Sequence, residues 1–124
     1  APVCQVTLWP GLVPPDATFR RAGGQVEASW NAACNAASLP GQGYAIEAGS
    51  LDELAASGSY THAPIGGECS RTSPASFAPG AGNEYYLVVA SEGGREGGAG
   101  SASSGIARPQ PSALCGARRE AACP

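Results

Sequence analysis

Alternation with a period of two, interrupted by glycines, constrains this chain more than any other feature. Gln25-Val26-Glu27-Ala28-Ser29-Trp30 sets Val26, Ala28 and Trp30 on one face and polar side chains on the other. Successive strand residues point to opposite faces, so the pattern is that of a half-buried strand. Gly23-Gly24 just before it is a turn, and Ala17 to Arg21 is the strand entering that turn, which makes a hairpin. Tyr44-Ala45-Ile46-Glu47-Ala48 alternates the same way with Tyr44, Ile46 and Ala48 inward, and Gly49 closes it. Glu84-Tyr85-Tyr86-Leu87-Val88-Val89-Ala90 has the composition of a strand and is apolar on both faces.

Elsewhere the signals are weaker. Ser50-Leu51-Asp52-Glu53-Leu54-Ala55-Ala56 is the single helical window, two turns at most. Ser50 is its expected N-cap, Glu53 stands at capping-box spacing, and Gly58 lies just past the end. Ser59 to Pro79 reads mostly as connection, with a strand within Ser70 to Phe77. Gly93 to Gly100 reads as a glycine-rich loop, and Ser101 to Ala107 as a last strand before Arg108-Pro109-Gln110-Pro111 stops pairing. Six or seven short strands without a long helix point to an all-β, antiparallel sandwich with one short helical turn, rather than an α/β fold.

The 124 residues suit one hydrophobic core, and the chain is too short for two sandwiches. Charged residues are 14% of the chain and the net charge is −3, with no lysine and no run of like charge, so no basic footprint for nucleic acid exists. No stretch is apolar for the eighteen or so residues a membrane-spanning helix needs. The chain opens Ala1-Pro2-Val3-Cys4 without a charged or apolar leader, as expected of a mature secreted chain.

The five cysteines, Cys4, Cys34, Cys69, Cys115 and Cys123, form no C-x-x-C pair. Wide spacing in a small chain rich in glycine and proline reads as disulfides in an oxidising compartment: periplasm, cell surface or extracellular space. Metal binding would need histidines, and His62 is the only one. Asp16 and Asp52, the only aspartates, are too far apart in sequence to suggest a calcium loop. No cofactor is implied.

Catalysis finds few residues to use. Serine acyl transfer needs a base, and His62 sits in Tyr60-Thr61-His62-Ala63-Pro64, which reads as a solvated loop. The absence of lysine excludes a P-loop, a Schiff base and an S-x-x-K nucleophile. Glu92 and Glu96 form the best carboxylate pair for glycoside chemistry, but they flank Gly93-Gly94-Arg95, which reads as a solvated hairpin tip. The expectation is a non-enzymatic protein.

Three segments in order, ATFRRAGGQVEASW (17–30), YAIEAGSLDEL (44–54) and YYLVVASEGGREGG (85–98), resemble fibronectin type III-like modules, most closely a variety in secreted proteins of Gram-negative bacteria. The C-terminal run SSGIARPQPSALC is similar to the end of such modules, and the likeness covers roughly residues 13 to 115. It implies a sandwich over 13–107, after an extension at 1–12 and before a disulfide-tied tail at 108–124. It also implies a Cys34–Cys69 bridge, roughly 3.5–4 kcal/mol in the loop-entropy picture. Cys115 and Cys123 are near enough to close a small loop, worth about 2.5 kcal/mol, leaving Cys4 free or intermolecular. Pairing of Cys4 with Cys115 or Cys123 is the rival arrangement.

If Tyr86, Val88 and Ala90 fill the core, Tyr85, Leu87 and Val89 form an apolar stripe on the outer face. Either another protein subunit covers that stripe, a second copy or a different chain, or the segment Gln5-Val6-Thr7-Leu8-Trp9 folds over it. The expected function is a structural or assembly subunit that associates through an exposed sheet face or edge. The alternative is a small module for carbohydrate or another surface ligand, built on Trp9 and Tyr85.

Overall fold

The computed structural model describes residues 13, 17–33, 43–92, 95–97, 115 and 117–118. Its chain order is β1 (Thr18–Ala22), β2 (Gln25–Ser29), β3 (Gly43–Ser50), α1 (Leu51–Ser57), β4 (Ala63–Pro64), a short 3-10 turn at Ile65–Gly67, β5 (Ala75–Phe77), β6 (Glu84–Glu92), β7 (Arg95–Glu96) and β8 (Ala117–Arg118). The all-β expectation holds. A three-stranded sheet runs β1-β2-β5 and a five-stranded one β4-β3-β6-β7-β8. Pairing is antiparallel throughout except between β7 and β8.

The hairpin follows from its turn. Gly23 and Gly24 both have positive φ, 59° and 82°, which a two-residue loop between right-twisted strands requires and which side chains beyond glycine adopt at a cost. The loop fixes the register, with Ala22 opposite Gln25 and Thr18 opposite Ser29. Alternation then aims Val26 and Ala28 at the core, Trp30 just beyond β2 joins them, and β5 adds Phe77.

The larger sheet meets this layer with Tyr44 and Ile46 from β3 and Ala90 from β6, and Tyr86 and Val88 pack at the margin. Ala48, expected inward, is half-buried at the rim. Trp30 meets Tyr44 edge-on at 5.5 Å, while Tyr86 packs against Phe19 at 5.3 Å and Phe77 at 5.1 Å. These aromatic pairs tie the two sheets into one core, beyond the area they bury.

Helix α1 starts where its sequence says it should. Ser50 Oγ accepts from the Glu53 N–H at 3.1 Å, and Gly58 ends the helix in the left-handed region, its N–H donating to the Leu54 carbonyl. Only half of the capping box forms. The Ser50 N–H donates instead to Thr61 Oγ1 at 2.9 Å, and Glu53 Oε1 accepts from Ser57 Oγ.

Two expectations need correction. Cys69 is bonded to Cys115, with Cα atoms 5.7 Å apart, so neither a Cys34–Cys69 nor a Cys115–Cys123 bridge exists. The cause is tertiary: Ala117–Arg118 joins the sheet edge as β8, and a backbone bridge between Tyr44 and Arg71 holds the Cys69 segment beside β3. The stretch expected as pure loop at 93–100 contains β7, which folds back on the end of β6. Cys4, Cys34, Cys123 and the expected strand at 101–107 lie outside the described residues.

Candidate functional site

β3 and β6 present a second face, away from the core. Its cross-strand pairs are Ala45 with Val89, Glu47 with Leu87, and Gly49 with Tyr85. Gly49 matters here because a Cβ at that position would clash with the phenol end of Tyr85. The aromatic ring therefore rests directly on the β3 backbone, a close approach that any larger residue would block.

From that seat Tyr85 reaches the connection between α1 and β4. Its hydroxyl accepts from the Thr61 N–H at 3.0 Å and lies 3.0 Å from His62 Nδ1. His62 Nε2 stands 3.9 Å from Glu47 Oε1, with side-chain exposures of 1% and 0% for the two residues. Tyr60 presents an edge to both His62 and Tyr85.

His62 is thus no solvated loop residue. The 58–62 connection folds back onto the sheet, so the polar face of β3 that reads as solvent-facing at Glu47 is covered. Gly49, expected to close its strand, lies within β3 opposite Tyr85. The sequence held no sign that joined His62 to Glu47. These contacts join the 58–62 connection, and the β4 edge that follows it, to the sheet.

The proposed apolar stripe divides. Val89 is fully buried within the single chain, while Tyr85 and Leu87 are half-buried. Val89 is therefore not available for a partner to cover. Trp9 lies outside the described residues, as do the side chains of Glu92 and Glu96. Among the described residues no cluster of His, Cys, Asp or Glu could hold a metal ion, and no helix is long and apolar enough to cross a membrane.

No protein-family model matches this chain, and neither a curated protein nor a solved structure is detectably similar to it.

Among the described residues a different surface is open: β1 pairs only with β2 and is the edge of its sheet. The two-residue loop makes Ala22–Gln25 a hydrogen-bonded pair, and antiparallel alternation then assigns the same to Arg20–Glu27 and Thr18–Ser29. The N–H and C=O groups of Phe19 and Arg21 consequently point away from β2. Arg20 lies against Glu27 at 2.8 Å, an exposed cross-strand pair. Beside β1 runs a cleft of ≈ 290 Å³ bordered by Phe19, Arg21, Leu51, Glu84 and Tyr86 among others.

Proposed function

We propose that this chain is a fibronectin type III-like sandwich serving outside the cytoplasm as a non-catalytic subunit of a larger assembly, joined through the open edge of β1. The strand order supports the fold reading, since two mainly antiparallel sheets, β1-β2-β5 and β4-β3-β6-β7-β8, share one core, with the parallel β8 an addition at the edge. The Cys69–Cys115 bridge supports an oxidising compartment. The observation that carries the function is the β1 edge itself, whose Phe19 and Arg21 backbone groups are directed outward and ready to accept a strand from another chain.

The edge is favoured over the sheet face because Val89 is already buried. The carbohydrate reading has less to stand on, since Tyr85 is committed to Thr61, His62 and Tyr60 within the chain.

Arg21→Pro tests the reading. Proline removes the outward N–H without touching a bond to β2, a position edge strands tolerate. Light scattering on protein from its own source should give a particle well above the single-chain 12.3 kDa. Arg21→Pro should return that particle to single-chain mass with the urea midpoint little changed. A single-chain mass for the unaltered protein, or full assembly by the variant, would sink the proposal.

A further inference from the structure

The β1 edge, open among the described residues, is also selective. A second copy paired antiparallel along all five residues would centre on Arg20 and set Phe19, not a carboxylate, opposite Arg21. Self-pairing therefore supplies Arg21 with no counter-charge.

Its side chains ask for something else. Arg20 is engaged by Glu27, but no described carboxylate pairs with Arg21. On the same side as Arg21, Phe19 and Leu51 border the cleft, and Leu51 is 43% exposed, the large apolar side chain left open among the described residues. Glu84, also on the cleft, is occupied: its Oε1 accepts from the Gly80 N–H at 2.7 Å and from the Tyr86 hydroxyl at 3.2 Å.

Resting on the edge reading above, we propose that β1 takes an antiparallel strand from a different protein, with a carboxylate opposite Arg21 and an apolar side chain opposite Phe19, reaching toward Leu51. Because the strands run in opposite directions, the residue facing Arg21 precedes the one facing Phe19 by two. The partner strand therefore reads acidic, any, apolar from its N-terminus. Backbone bonds to Phe19 and Arg21 supply the general attraction, and the carboxylate and apolar positions supply the choice.

The probe is a seven-residue peptide, Thr-Thr-Glu-Thr-Val-Thr-Thr, compared with one carrying Lys in place of Glu. Both are titrated to millimolar concentration against the full chain with backbone amide shifts as readout. The Glu peptide should move the Phe19 and Arg21 amides and bind roughly fivefold tighter than the Lys peptide at low salt, with the gap narrowing as salt is added. Arg21→Glu should reverse the order of the two peptides. Equal binding by both, binding by neither, or an unchanged order in Arg21→Glu overturns the proposal. If assembly fails in Arg21→Pro while the Lys peptide binds as well as the Glu peptide, only the partner chemistry is wrong. If Arg21→Pro assembles normally, the edge reading itself has failed.

Discussion

Gly49 and Tyr85 show how one residue without a side chain sets the position of another with a large one. Gly49→Ala forces the Tyr85 ring off β3, an overpacking that should cost about 1–3 kcal/mol in urea unfolding. Combined with Tyr85→Ala the cost should be less than the sum of the single changes, since the clash partner is gone. Additive costs would mean the ring does not depend on that glycine. Tyr86 carries a pH signature of its own. Burial, then the charge of Glu84 and the hydrogen bond to it, raise its hydroxyl above the usual 10.0 against an opposing pull from Arg21. The folded state therefore holds this proton more tightly than the unfolded chain does. The resulting stability is complete below pH 10.0 and is lost as pH rises from there through the folded value. Thermal unfolding between about pH 9 and about pH 11 should show a steeper decline for the unaltered protein than for Tyr86→Phe.

At the level of elements, the pieces with local causes formed where their sequences pointed. The β1–β2 hairpin has its glycine pair, and α1 has a serine cap at one end and a glycine at the other. Ser50→Ala should lower stability by about 1 kcal/mol, and Ser50→Asp should restore most of it, both measured by urea midpoint. A larger loss would mean that the Ser50 hydroxyl does more than cap, since the Ser50 N–H that donates to Thr61 is kept in both variants. The two-residue strands β4, β7 and β8 have no comparable local cause. β4 and β7 exist because the longer β3 and β6 offer an edge, and β8 because β7 extends that edge, which composition and periodicity do not record.

For the whole molecule, the Cys69–Cys115 bridge joins the middle of the chain to its C-terminal part across 46 residues. Closing a loop of that length restricts the unfolded chain by about 4 kcal/mol. The Cys69→Ser, Cys115→Ser double variant should lose stability of that order, and β8 amides should exchange faster than those of β3 and β6. Loss confined to β8 with no global change would mean that the bridge only tethers a segment. The core itself spans both sheets, so its stability is shared among Trp30, Tyr44, Phe77 and Tyr86 rather than owned by either layer.

The sequence by itself determined the strands with a two-residue period, the glycine turn, the capped helix and the inward set Val26, Ala28, Trp30, Tyr44 and Ile46, because each depends on neighbours a few residues away. Tertiary structure alone decided which cysteines met, that His62 lies buried between Glu47 and Tyr85, and which face of β6 is covered. Those outcomes turn on how the connections between strands return to the sheets. Chain spacing carries no record of that return, because a loop of given length can close onto either face or either edge at nearly the same entropic cost.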